Sequence, residues 1–290
     1  MKQIICILIT FFYLTNTFSQ TFHVDAGLGA VTYNGDLQLQ KFKPNNFLPA
    51  FTVGLGYSLN DHIAINGNII YCKISGDDKK AQKPQLIARN LNFTSTVVEG
   101  NLLLEYNLFS TTDPPLINPF FYAGIGVFHF NPYTFDTAGN KVYLQPLGTE
   151  GQGLSQYPDR KPYSLFQFNI PFGGGIRYKL NDHISISAEA SFRRLFTDYL
   201  DDVSTTYPDS LLLLKGNGPL AVKYSFRKNE IDPSARYAND TNRGNQSRGD
   251  TYYFVLFKLS FTLPSGGSNV FKNGATRNPK SKVSCPGKVL

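Results

Sequence analysis

The stretch Gly54-Leu-Gly-Tyr-Ser-Leu-Asn-Asp-His-Ile-Ala-Ile65 recurs further along the chain as Gly175-Ile-Arg-Tyr-Lys-Leu-Asn-Asp-His-Ile-Ser-Ile186. Both copies keep the pattern Gly-x-x-Tyr-x-Leu-Asn-Asp-His-Ile-x-Ile. It describes a strand, a tight Asn-Asp turn and a return strand. Asn and Asp tolerate the positive-φ geometry that short hairpin loops need. Two matching hairpins half a chain apart point to a sheet that repeats and closes, as a barrel does.

The strands around these turns alternate cleanly. In Phe51-Thr-Val-Gly-Leu-Gly-Tyr-Ser-Leu59 the odd positions are large and apolar, and the even ones are Thr, Gly or Ser. From Phe166 to Leu180 the even positions are mostly aromatic or aliphatic and their neighbours mostly polar or Gly. A period of two marks strands with one apolar and one polar face. The same test predicts eight strands, at 21–33, 47–59, 62–75, 93–109, 119–130, 165–180, 183–196 and 251–263. Each exceeds the roughly 9–11 residues that cross a bilayer with the usual tilt. The links at 60–61, 110–118 and 181–182 are short, whereas those at 34–46, 76–92, 131–164 and 197–250 are long, polar and rich in Gly, Pro and Asn.

This alternation of short turns and long loops is that of outer-membrane barrels, whose short turns face the periplasm. The expected fold is therefore an all-β, eight-stranded antiparallel transmembrane barrel. A soluble β-sandwich is the rival reading. It would have to bury the apolar faces against each other, and it gives no reason for the loop asymmetry.

The beginning of the chain agrees. Met1–Ser19 reads as a signal peptide: Lys2, an apolar run from Ile4 to Leu14, and Thr17-Phe18-Ser19 before Gln20. Cys6 lies inside the apolar run, which argues against a lipoprotein. Residues 20–263 would form the barrel and 264–290 a basic periplasmic tail. A net charge of +7 would suit nucleic acid in a cytosolic protein, but export makes that partner improbable. No cysteine or histidine spacing calls for a metal or other cofactor.

Parity then sorts the charges. Asp25, Glu99, Glu105 and Glu189 fall on inward faces, as do Arg177, Lys179, Arg193 and Lys258. Four acids and four bases in a narrow lumen should pair, since an unpaired buried charge is costly, and barrels of this size hold side chains rather than a channel. A plugged lumen is expected in preference to a proton or ion pathway.

Other candidates are weaker. His62 and His183 begin return strands, and His23 points into the lumen. His129 shares a face with Ile125 and Val127, where a barrel lipid hydrolase would hold a catalytic His, but no serine pairs with it. No enzyme is expected. Arg248-Gly249-Asp250 matches an adhesion tripeptide, a common chance match. The acidic run Asp198-Tyr-Leu-Asp-Asp202, with Asp209, offers calcium oxygens but lacks the spacing of a calcium loop. Pairing with Arg193, Arg194 or loop lysines is the default there.

The segment Pro264–Leu290 begins with a Gly-Gly linker and contains no acidic residue. It carries Lys272, Arg277, Lys280, Lys282 and Lys288. It could dock an acidic protein surface, touch anionic lipid heads or be disordered, in that order of preference. Cys72 lies inward near the extracellular end and Cys285 in the tail. The membrane thickness between them exceeds the ~7 Å Cα limit for a disulfide. Cys285 is thus read either as bonded to another chain or as an unpaired or capped thiol.

Several segments are similar to the PorG-like outer-membrane family of Bacteroidetes: Tyr33-Asn-Gly-Asp-Leu37, Arg194-Leu-Phe-Thr-Asp-Tyr-Leu-Asp-Asp-Val-Ser204, and Arg243-Gly-Asn with Asp250-Thr-Tyr-Tyr. The resemblance implies a non-catalytic component of the type IX secretion system, linked in some species to gliding motility. It further implies that the barrel anchors a periplasmic ring of a PorK/GldK-type lipoprotein and a PorN/GldN-type protein. The rival classes are a small ligand-binding or transport barrel, a surface adhesin and a lipid-modifying enzyme.

Overall fold

The computed structural model describes residues 21–39, 46–111, 115–247 and 249–263. The signal segment, Arg248 and the tail lie outside the described residues. The tail residues Lys272, Arg277, Lys280, Lys282, Cys285 and Lys288 are therefore expectations only.

The predicted alternation becomes eight long antiparallel strands: β1 (Phe22–Asn34), β2 (Leu48–Ser58), β3 (Ile63–Asp77), β4 (Asn92–Asn107), β5 (Ile117–His129), β8 (Phe166–Lys179), β9 (Ile184–Leu195) and β10 (Thr251–Thr262). Each pairs with its neighbour, and β1 closes on β10 from His23↔Thr262 to Asn34↔Thr251. Two short strands absent from the sequence reading, β6 (Pro132–Phe135) and β7 (Lys141–Tyr143), extend the sheet along β4 beyond the end of β5. Closure removes every edge that the long strands would otherwise present, the condition for sheet in hydrocarbon.

The outward positions carry the apolar residues. Leu28, Ile125 and Phe168 are 63%, 68% and 68% exposed, as are many Leu, Ile, Val and Phe at alternate positions of the same strands. Such a continuous exposed apolar belt is unstable in water and suits lipid.

The repeated turns use different chemistry from that expected. Neither Asn60-Asp61 nor Asn181-Asp182 has positive φ; among described non-glycine residues only Asn90, Asp202 and Asp240 do. Instead Asn60 Oδ1 accepts from the backbone N–H groups of His62 and Ile63 at 2.9 and 2.8 Å, and Asn181 Oδ1 accepts from His183 and Ile184 at the same distances. The repeat encodes a side-chain-locked turn.

The long loops fold over the opposite end. They carry the short helices α1 (Pro84–Arg89), α2 (Ser210–Asn217) and α3 (Pro219–Ser225). The charge and Gly/Pro content of these loops conceals them in the sequence.

Candidate functional site

The lumen is layered. Its polar wall runs from the short-turn end, where Arg177 and Glu105 lie, up to Arg193 and Glu99 in the long-loop half. Arg193 Nε donates to both Glu99 oxygens at 2.8 and 2.9 Å, Arg177 Nη2 to Glu105 at 2.9 Å, and Lys258 Nζ lies 2.5 Å from Glu189. Glu99 also accepts from Tyr252, Asn101 and Asn169. The fourth pairing does not form. Lys179 turns to Asp182 in the exposed turn at 2.9 Å, and the ion pair that Asp25 makes among the described residues is with His23, 3.6 Å away. Lys179 sits at the last position of β8, where its long side chain reaches the rim more easily than the interior.

Around the Arg193–Glu99 pair and above it the lumen is filled. Val31, Ile70, Cys72, Val97, Phe128 and Phe254 are buried in one apolar cluster that continues into the loops. Below it, a cavity of about 320 Å³ opens at the short-turn end, lined by His23, Glu105, Asn107, Arg177, Lys179 and Asp182 among others. The molecule is thus a vestibule with a closed roof.

A buried polar lattice locks the cap of long loops. Arg243 Nη1 donates to Glu150 at 3.0 Å, and Nη2 lies 3.5 Å from Asp202. Glu150 also accepts from the backbone of Ser204 and Thr205. Arg89 joins three loops, donating to both Asp78 oxygens at 2.7 Å and to the carbonyls of Asp36 and Arg243. Tyr33 Oη lies 2.5 Å from Asp201 and 3.1 Å from Asp250, while Leu200 and Val203 backbone N–H groups donate to the same carboxylates.

Electrostatics in the cap follow from burial. Burial, then the neighbouring Asp36, pushes Asp201 well above the usual carboxylate range; burial and Asp201 do the same to Asp250. Burial raises Asp202 to about 6 against the pull of Arg243. Burial opposes the charge on Arg243, but Glu150 and Asp202 hold its guanidinium above the ordinary value.

A family model described as "Outer membrane protein beta-barrel domain" matches residues 4–226. The chain belongs to that family. No curated protein matches. Among solved structures, Neisserial surface protein A is 9% identical over 83% of this chain and 97% of its own, with a TM-score of 0.41. A major outer membrane protein of Thermus thermophilus is 11% identical over 84% and 100%, also at 0.41. The outer membrane enzyme PagL is 13% identical over 81% and 97%, at 0.30. At such scores these likenesses carry no argument about activity.

Within this outer-membrane barrel the remaining candidates are spread apart. His129 packs against the Phe166 ring at 4.8 Å on the outward face, and His62 Nδ1 lies 3.0 Å from the Asn107 carbonyl. Cys72 is a free, fully buried thiol in the apolar roof. The acidic run finds partners other than Arg193, Arg194 or lysine. Asp202 takes Arg243, Asp198 accepts from Ser204, and Asp209 caps α2 through the N–H groups of Leu211 and Leu212. Arg193 is unavailable because Glu99 holds it. No cluster of His, Cys, Asp and Glu among the described residues could hold a metal. Asp250 of the adhesion tripeptide is 5% exposed, so it cannot present itself to a receptor. The sequence reading missed Glu150, Asp78 and Arg89 because each lies in a loop whose partners are far away along the chain.

Proposed function

We propose that the protein is a non-catalytic outer-membrane anchor of the type IX secretion system. In this reading it tethers a periplasmic ring, of a PorK/GldK-type lipoprotein and a PorN/GldN-type protein, through its short-turn face and basic tail. The observation that carries the reading is the closed roof combined with the exit of the chain. Transport through the barrel would have to breach the packed cluster of Phe128, Phe254 and Val97, whereas the short-turn end is open and polar. Leu263, the last described residue, donates its N–H to the Phe22 carbonyl at that end. By the usual orientation of outer-membrane barrels that end faces the periplasm. The resemblance to PorG-like proteins supplies the partner class, and the acid-free tail and Cys285 supply a charge-based and covalent means of contact.

The test is affinity capture from cells carrying the full chain, a chain ending at 263, or Cys285→Ser. The anchor reading expects a lipoprotein and a ring protein to co-purify with the full chain and to be depleted by the truncation. A high-mass band on non-reducing gels should vanish with Cys285→Ser. Equal capture by all three chains would refute the role of the tail. Normal export of type IX cargo in a deletion strain would refute the anchor. A surface-adhesion reading has one observation in its favour: the ordered cap exposes Leu211, Leu214 and Leu220 on α2 and α3.

A further inference from the structure

The lipid-facing wall is apolar along most of its height, and the charges it carries sit at one end. Among the outward positions of the eight long strands, the acids, lysines and arginines are Lys73, Asp77 and Arg194, all in the long-loop half. Asp77 is spent locally, since its carboxylate accepts the Lys79 backbone N–H at 2.9 Å. What remains is basic. At the short-turn end the wall finishes instead on Tyr106 and Tyr178.

On three neighbouring strands the apolar belt stops at one rung. Tyr71, Val98 and His129 lie side by side in register. One pleat further out come Lys73 and Thr96, and then Ser75, Thr94 and Tyr133. Tyr106 and Thr96 are ten residues apart along β4, enough to cross an apolar band of about 25 Å at the usual tilt. The polar rungs therefore stand in the head-group layer of the outer leaflet.

The β6–β7 hairpin carries this wall higher. Tyr133 pairs with Tyr143 and Phe135 with Lys141, so all four share the outward face that Thr94 sets. Lys141 Nζ lies 4.7 Å from the centre of the Tyr133 ring, and Phe135 and Tyr143 meet that ring edge-on at 5.6 and 5.9 Å. Phe135 and Tyr143 remain 46% and 45% exposed. Rings beside a fixed amine, above the hydrocarbon and not within it, offer a stacking face next to a positive charge. Lower on β4 the wall is bare. A Cβ at Gly100 would meet nothing within 4 Å, although its register neighbours Ile69 and Val127 stand out on either side.

We propose that this sector binds one molecule of an anionic glycolipid of the outer leaflet. Its phosphorylated sugar head lies between Lys73 and Lys141 and against Tyr143 and Phe135, and an acyl chain follows β4 over Gly100. The two lysines stand on β3 and β7, three strand spacings or about 14 Å apart. That span suits a sugar head group and is too wide for a lone phosphate. A phosphatidyl lipid has the charge but no sugar ring to lay on Tyr143, and a neutral lipid lacks the charge. The proposal needs only the membrane setting of the barrel and is independent of the anchor reading.

The test is native mass spectrometry of the full chain in detergent, titrated with lipid A, dephosphorylated lipid A or phosphatidylglycerol. Lipid A should give a single saturable adduct and bind most tightly of the three. Lys73→Gln and Lys141→Gln should each weaken it about five-fold, and together about thirty-fold. Arg194→Gln, an outward base on β9 outside the sector, should leave it unchanged. Gly100→Phe should weaken it without lowering the urea midpoint. Equal binding of all three lipids would overturn the proposal, as would adducts that accumulate without saturation, the mark of non-specific annular lipid. An Arg194→Gln loss equal to that of Lys73→Gln would also overturn it, since attraction would then be diffuse. If the double lysine variant does not fold, the comparison of lipids on the unaltered chain still decides.

Discussion

Replacing Arg193 with Met tests the layered lumen most directly. The guanidinium is almost fully buried, bonds both Glu99 oxygens and lies over the Phe254 ring at 4.8 Å. Met keeps most of the volume and the apolar contact but removes the charge. Glu99 would retain Tyr252, Asn101 and Asn169, all neutral donors. Breaking one partner of a buried ion pair costs about 3–5 kcal/mol, because the surviving charge is left uncompensated. With a urea slope of about 2–3 kcal/mol/M, the unfolding midpoint should fall by roughly 1–2 M. The heat-modifiable gel shift of the folded barrel reports the same equilibrium. The discriminating control is Glu99→Gln combined with Arg193→Met, which removes both charges and should recover most of the loss. A single variant costing under about 1 kcal/mol, or a double variant as unstable as the single, would refute the claim that the pair is a matched buried charge.

Four further outcomes are expected. Arg243→Met should open the cap by stranding Glu150 and Asp202, at a local cost of about 3–5 kcal/mol; trypsin should then cut within 197–250 while the barrel keeps its gel shift. The cap should also loosen as pH rises. Asp202 and Asp198 are raised by burial to about 6 and about 7, and Asp201 and Asp250 are raised as well. The folded cap therefore holds protons that an unfolded loop releases above about pH 4, and that stabilisation is complete below this value and lost as pH passes through 6 and 7. Hydrogen exchange in 197–250 should be slower at pH 5 than at pH 8.5 after correction for the intrinsic rate. Asn60→Ala removes two turn hydrogen bonds and should cost about 1–3 kcal/mol, seen in urea unfolding. In planar bilayers the protein should give no stepwise conductance, and regular single-channel steps would contradict a filled roof.

The strands were legible because a lipid-facing wall leaves no freedom: every second residue must be apolar over at least nine positions, and that imprint survives in the chain. Inward charges followed from the same parity, so Glu99, Glu105, Glu189, Arg177, Arg193 and Lys258 could be placed without knowledge of their partners. Lys179 defeated the rule because parity fixes the face of a residue and not the reach of its side chain. The cap was illegible for a different reason. Tyr33, Arg89, Glu150, Asp202 and Arg243 come from separate loops, and nothing periodic links residues that meet only through tertiary packing. A buried Asp-Asp pair reads in sequence like a solvated acidic run, which is why it suggests calcium or lysine pairing ahead of Arg243. The repeated Asn-Asp turn was found through its pattern, but its mechanism was not, since an accepting side chain and a positive φ draw on the same residue types.

The distribution of chemistry in the barrel bears on where a partner would act. Tyr33, Asp201, Asp202, Arg243 and Asp250 are all buried in the cap. Their hydroxyls and charges are spent on one another, so they hold the roof closed and present nothing to a partner. The open polar surface is at the other end, where His23, Arg177 and Lys179 line the vestibule and the chain continues beyond Leu263. A partner that recognised the cap would have to displace Glu150 from Arg243, leaving buried charge unpaired at a cost of roughly 3–5 kcal/mol. Contact at the short-turn face requires no such rearrangement. Alterations of the cap should therefore act on partner capture only through loss of folded barrel, in proportion to it, while alterations at the rim should reduce capture from fully folded protein.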